Sequence, residues 1–139
     1  MNIRILLADD QKVTRKIIAA VIGSQPGMEV VAEADNGLEA FKMTRELKPE
    51  IIIMDINMPV LNGIDATRLI VEDFPGIKVL GISIYSECQF VGGMLDAGAA
   101  GYVLKDLLYE QLIKAIHTVI DNRMYISPEI HCEGIEACA

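Results

Sequence analysis

The chain reads as short, nearly uninterrupted apolar runs separated by longer stretches in which apolar residues return every three or four positions. The runs are Ile3 to Ala8, Met28 to Ala34, Ile51 to Met54, Ile77 to Ile82 and Gly101 to Leu104. They start at residues 3, 28, 51, 77 and 101, so successive spacings are 25, 23, 26 and 24, about one strand plus one helix each. After the first run, Val13, Ile17, Ile18, Val21 and Ile22 form a helical stripe, with Lys12, Arg15 and Lys16 on the other side. Gly23 and the Pro26-Gly27 pair end it. A second helix is predicted from about Gly37 to Leu47, before Pro49, and a third after Asn62, an N-cap residue, up to Pro75-Gly76. The fourth interval, Glu87 to Ala97, holds Gly92 and Gly93 side by side. Each costs a helix about 1 kcal/mol relative to Ala, so a short, weakly held helix is expected. The last, Leu108 to Ile120, sets Leu108, Leu112, Ala115, Ile116 and Val119 on one stripe. Five strand–helix units in series predict an α/β domain, with an all-parallel sheet covered by helices on both faces. Strands apolar on both faces are what such a sheet requires.

Composition bounds what this fold can do. At 139 residues the chain has the size of one domain. No apolar run approaches the roughly 20 residues of a membrane helix, and the N-terminus lacks a secretory signal's cationic start, so a cytoplasmic location is expected. Twelve basic residues against twenty acidic give a net charge of −8, and the cations are scattered along the chain. Both facts argue against direct nucleic-acid binding, which needs a basic face. Aromatics are 5% with no Trp, which predicts an aliphatic core. Cys88, Cys132 and Cys138 are odd in number and have no framework spacing, so free thiols in a reducing compartment are the simpler expectation.

Chemistry in an open α/β sheet gathers beyond the carboxyl ends of the strands. Here the first run is followed by Asp9-Asp10, the third by Asp55, the fourth by Ser83 and the fifth by Lys105. The first turn has no glycine, and neither a G-x-G-x-x-G nor a P-loop occurs in the chain, so a nucleotide cradle is excluded. Singly, each residue has a plain structural use: Asp9-Asp10 as a turn or N-cap, Asp55 as a loop acid, Ser83 as a capping hydroxyl, Lys105 as a surface charge. Jointly, three carboxylates on one rim call for a hard divalent cation such as Mg²⁺. Asp55 is then a candidate nucleophile toward phosphorus, Ser83 a hydrogen-bond donor to a phosphoryl oxygen, and Lys105 its electrostatic partner.

The motif set resembles the receiver domain of two-component response regulators over residues 3 to about 122. It comprises Asp9-Asp10, Asp55-Ile56-Asn57-Met58-Pro59 with Gly63 beyond, Ser83 and Lys105. The stretch from Ala97 to Asp106, with Arg123-Met124-Tyr125-Ile126-Ser127-Pro128 later, is similar to the LuxR-type (NarL-like) subfamily. The resemblance implies a flavodoxin-like (βα)5 fold with strand order 2-1-3-4-5. It implies Asp55 as phosphoacceptor, Asp10 as a direct Mg²⁺ ligand assisted by Asp9, and Asn57 as a ligand through its backbone carbonyl. Ser83 and Tyr102 match the switch hydroxyl and switch aromatic, and Lys105 the phosphate-pairing lysine. Tyr102 read without the resemblance is equally a strand-edge aromatic. Ile84, bulkier than the residue many receivers carry there, is expected to narrow access to the site.

The function implied is that of a phosphoacceptor which assists its own phosphorylation and dephosphorylation without being a conventional enzyme. Its partners would be a sensor histidine kinase or a histidine phosphotransfer protein docking near the first helix. Phosphorylation would switch the face made by the fourth helix, fifth strand and fifth helix, with a homodimer as one outcome. Two alternatives share the chemistry. One is a receiver fragment of a LuxR-type DNA-binding regulator. The other is a Mg²⁺-dependent phosphohydrolase, although the second acid of its Asp-x-Asp is Asn57 here. Residues 123–139 are expected to be a tail or linker remnant with no output domain, frayed from Ser127 to Ala139. The spacing of His131, Cys132 and Cys138 matches no standard zinc finger.

Overall fold

Each strand needs apolar cover on two sides, and the computed structural model, which describes residues 2–134, shows how the helices supply it. In chain order the elements are β1 (Ile3–Ala8), α1 (Lys12–Gly23), β2 (Met28–Ala34), α2 (Gly37–Leu47), β3 (Ile51–Asp55), α3 (Gly63–Asp73), β4 (Lys78–Ser83), α4 (Cys88–Asp96), β5 (Gly101–Leu104), a 3-10 turn (Lys105–Leu107), α5 (Leu108–Ile120) and β6 (Tyr125–Ile126). The sheet is parallel throughout, in the order β2-β1-β3-β4-β5-β6. This is the expected flavodoxin-like order with one strand added.

The period-two alternation of the strands sorts the core into two halves. Ile5, Leu7, Ile51, Ile53, Leu80, Ile82 and Val103 pack with Ile18 and Ile22 of α1 and with Leu112 and Ile116 of α5. Leu6, Ala8, Ile52, Met54, Val79 and Tyr102 face the other way, onto Ala40, Ala66, Ile70, Val91 and Met94 of α2, α3 and α4. These strand side chains are almost wholly buried, and each large one contributes about 1.5–3 kcal/mol by leaving water. Val13 departs from the predicted stripe of α1 and lies 70% exposed.

Local signals fix the helix starts. Asn36 and Asn62 each accept a hydrogen bond from a backbone N–H three residues on, at 2.9 Å. Helix α4 has no such cap and runs for only nine residues. One of its glycines has a packing reason, since a Cβ on Gly93 would sit 3.1 Å from Ile64 Cδ1 of α3.

Residues 127–134 do not fray as expected, and 135–139 lie outside the described residues. Tyr125 and Ile126 pair in register with Gly101 and Tyr102, and Ile130 and Cys132 join the core on the α4 side. Ser127, fully buried, accepts a hydrogen bond from Leu104 N and donates one to Gln111 Oε1. The reason is edge satisfaction. With only five strands β5 would present unpaired backbone groups, and the returning segment covers them. The free-thiol expectation is corrected as well, because Cys88 and Cys132 form a disulfide. Cys138 lies outside the described residues.

Candidate functional site

Strand order reverses at β1, which has β2 on one side and β3 on the other, so the loops after β1 and β3 diverge and leave a crevice. Asp9 is fully buried at its base. The backbone N–H of Gln11 donates to Asp9 Oδ1 at 2.8 Å, a tight turn that carries Asp10 outward to an exposed position. Arg15 braces this turn, donating to the Asp9 carbonyl at 2.6 Å while pairing with Glu33 at 3.0 Å.

Asp55 ends β3 and is 4% exposed. The loop after it is bent by a three-residue turn in which Leu61 N–H donates to the Pro59 carbonyl at 2.7 Å. Val60 at its apex has φ 69°, a costly conformation for a β-branched residue. Helix α3 then starts hard against the strand end, because Gly63 N–H donates to the Ile56 carbonyl at 2.8 Å. A Cβ on Gly63 would run into the Asp55 carbonyl, so only glycine fits there.

Lys105, at the end of β5, reaches back across β4. Its ammonium lies 2.9 Å from Asp9 Oδ2 and 3.2 Å from Asp55 Oδ2, with the side chain 12% exposed. Carboxylate oxygens of Asp9, Asp10 and Asp55 all lie within 4.8 Å of one another. One ammonium therefore contacts two acids, with the third carboxylate beside them. Asp55 feels this: burial first, then the Asp9 charge, push its pKa from 3.8 to about 6, against the opposing pull of Lys105. Burial works against the Lys105 ammonium, but the two carboxylates outweigh it and its pKa is raised. Asp9 Oδ2 is buried and, apart from its ion-pair contact with Lys105, has no aligned hydrogen-bond partner. An all-oxygen donor set, surplus negative charge and an unsatisfied carboxylate oxygen together fit a hard divalent cation.

Beside this cluster is a cleft of about 130 Å³ lined by Asp10, Gln11, Asp55, Asn57, Ser83, Ile84, Tyr85 and Lys105. Ile84 sits on its wall but is 67% exposed. Ser83 is buried at the end of β4, and its Oγ accepts the backbone N–H of Tyr85 at 3.0 Å. Tyr102 is fully buried on the α4 side of β5. Gly81 makes the room: a Cβ there would approach Tyr102 Cδ2 to 3.5 Å and Met94 Cε to 2.8 Å. With β6 alongside, Tyr102 is not an edge residue.

Sequence reasoning passed over Tyr85, the residue that joins these parts. Tyr102 donates its hydroxyl to the Tyr85 carbonyl at 2.7 Å, and Asn57 Nδ2 donates to the Tyr85 hydroxyl at 2.7 Å. The Tyr85 ring stacks on Phe90 of α4 with centroids 4.4 Å apart. The segment from Ile84 to Glu87 has no periodicity, so only its aromatic, two residues beyond Ser83, marked it.

The chain matches the model of the response regulator receiver domain over residues 5–117. It is 38% identical over 128 residues to the transcriptional regulatory protein LnrK of Bacillus subtilis (strain 168), covering 92% of this chain and 58% of that protein. It is also similar to a two-component response regulator of the LuxR family from Aurantimonas sp. SI85-9A1. That structure superposes with a TM-score of 0.89 at 35% identity, covering 94% of this chain and 93% of the other. The response regulator domain of Thermotoga maritima CheB superposes with a TM-score of 0.82 at 33% identity, over 87% and 98%. The chain spans about three fifths of the length of curated relatives such as LnrK and GacA. Among the described residues no helix is long and apolar enough to cross a membrane.

Proposed function

The chain belongs to the receiver-domain family of two-component response regulators, and on that premise we propose that Asp55 accepts a phosphoryl group from a histidine kinase or a histidine phosphotransfer protein. The observation that carries the reading is the Lys105 ammonium held against both Asp9 and Asp55 at the mouth of an oxygen-lined cleft. Asp9, Asp10, Asp55 and the Asn57 carbonyl would hold Mg²⁺, which when bound offsets charge on the incoming phosphoryl group.

An Asp55 carboxylate oxygen attacks phosphorus, the bond from phosphorus to the donor imidazole nitrogen breaks, and an acyl phosphate forms. Lys105 is placed to pair with a phosphoryl oxygen as that charge arrives. Ser83 Oγ accepts from Tyr85 N–H, and its own O–H, which lies against the Tyr102 hydroxyl, would turn to donate to a second phosphoryl oxygen. A phosphoryl group adds about −1.5 to −2 charge and three acceptor oxygens. Its bond to Ser83 would reinforce the chain from Ser83 through Tyr85 to Tyr102, which already lies inward. Phosphorylation thus favours one of two arrangements of the α4–β5–α5 face, with partner binding or dimer formation as the readout.

The test is labelling with acetyl phosphate, read by intact mass and by size exclusion. One phosphoryl group per chain is expected with Mg²⁺, none with chelator or in Asp55→Asn. Ser83→Ala should label but show a blunted change in elution. Undiminished labelling of the Asn variant overturns the assignment, and steady turnover of p-nitrophenyl phosphate would point to a phosphohydrolase.

The length of the relatives favours a second, compatible reading, in which this receiver governs a LuxR-type DNA-binding output. In that setting, phosphorylation-dependent operator binding by the longer protein is the expected result.

A further inference from the structure

Cys88 and Cys132, 44 residues apart, are joined across a part of the molecule that the phosphoacceptor chemistry does not use. Cys88 is the first residue of α4 and Cys132 lies in the segment after β6. The two ends are held very differently. Beyond β6 the chain is anchored without the disulfide: Ser127 N–H donates to the Tyr102 carbonyl at 2.9 Å, Ser127 Oγ bridges Leu104 and Gln111, and Gln111 Nε2 donates to Glu129 at 2.8 Å. Helix α4 has no side-chain cap, carries Gly92 and Gly93, and is the shortest α-helix among the described residues. The bond therefore ties a weakly held helix to a firmly held strand segment.

The point of attachment lies three residues after Tyr85, whose carbonyl accepts the Tyr102 hydroxyl and whose ring stacks on Phe90. A tether at Cys88 restricts the far end of the loop that carries both contacts. With the disulfide closed, the loop is in the arrangement in which Tyr102 lies inward on the Tyr85 carbonyl and Ser83 Oγ accepts the Tyr85 N–H. Resting on the phosphoacceptor reading above, we propose that Cys88 and Cys132 are a reversible redox modification site. Their oxidation raises the affinity of the site around Asp55 for a phosphoryl group.

The chemistry is thiol–disulfide exchange with a low-molecular-weight dithiol. Cys88 is exposed and Cys132 is 8% exposed, so an incoming thiolate reaches Cys88 Sγ first. It forms a mixed disulfide there and expels Cys132 as a thiolate, which takes a proton. The second thiol of the reductant then closes its own disulfide and releases Cys88 as a thiolate at the positive end of α4. Two electrons and two protons pass to the protein, and the dithiol leaves as a cyclic disulfide. The reduced Cys88 has an acceptor at hand, because the His131 carbonyl lies 3.6 Å from Sγ. Oxidation is the same exchange run backwards.

The experiment equilibrates the full chain in graded ratios of reduced and oxidised dithiothreitol with Mg²⁺, with and without beryllofluoride as the phosphoryl mimic. Thiols are trapped by alkylation and mapped by peptide mass. Beryllofluoride should shift the thiol–disulfide equilibrium about tenfold toward the disulfide, roughly 30 mV for a two-electron couple. By linkage, oxidised protein should bind beryllofluoride about tenfold more tightly than reduced protein. An unshifted equilibrium, a shift toward the dithiol, or a disulfide mapped to Cys138 overturns the inference. The Cys88→Ser/Cys132→Ser variant separates the two readings. If it binds beryllofluoride while the native pair shows no shift, only this inference falls; if neither protein binds it, the phosphoacceptor reading falls too.

Discussion

Asp55→Asn should make the cation-free protein more stable at neutral pH, although it removes a carboxylate that touches Lys105. Burial and the Asp9 charge hold the Asp55 carboxyl at about 6 against an ordinary 3.8. At about 1.36 kcal/mol per tenfold change in proton affinity, the folded state gives up roughly 3 kcal/mol to keep that group ionised. Asparagine has the same shape without the charge, but leaves Lys105 with one carboxylate partner fewer, so the expected gain is about 1–3 kcal/mol. The sign follows from proton binding. Between 3.8 and about 6 the folded chain keeps a proton that the unfolded chain has released, so this group's contribution to stability falls as pH rises. The penalty is complete above about 6 and absent below about 3.8. Urea unfolding of both proteins in chelator, from pH 8 down to pH 4, measures it. The Asn variant should lead at pH 8 and lose its lead as pH falls through 6. Mg²⁺ should stabilise the native protein and leave the variant nearly unchanged. An Asn variant no more stable than the native chain at pH 8 in chelator, or a lead independent of pH, refutes the electrostatic reasoning.

Lys105→Ala removes the ammonium that Asp9 and Asp55 share, leaving buried carboxylates without a cation. A loss of about 3 kcal/mol in chelator is expected, recovered in large part by Mg²⁺, with urea midpoints as the readout. Ser127→Ala takes away the acceptor of Leu104 N–H and the donor to Gln111. It should cost about 1–3 kcal/mol and speed amide hydrogen exchange at Leu104, while acetyl-phosphate labelling of Asp55 proceeds as in the native chain.

Most of the site was legible in the sequence for one physical reason. A parallel sheet brings the carboxyl ends of all its strands to one rim, so whatever follows each apolar run is delivered to a common place. Asp9, Asp10, Asp55, Ser83 and Lys105 could therefore be named as neighbours before any contact was known. The opposite fate of Tyr85 follows from the same logic. It sits inside a loop, where no periodicity specifies position, and its importance comes from partners at Asn57, Phe90 and Tyr102 that meet only in three dimensions. Tyr102 was ambiguous because whether a strand aromatic is an edge or a core residue depends on what lies beside the strand.

By itself the sequence determined the five strand–helix repeats, their burial on both faces, and the rim on which acids and lysine gather. These are matters of short-range pattern and of a connection rule that parallel strands cannot escape. Tertiary structure alone decided the rest: that Lys105 divides itself between Asp9 and Asp55, that residues 125–126 close the sheet edge, and that Cys88 meets Cys132. Each is a contact between segments far apart in the chain, made when an unpaired edge, a buried charge or an exposed helix end is satisfied by whatever the fold has placed beside it.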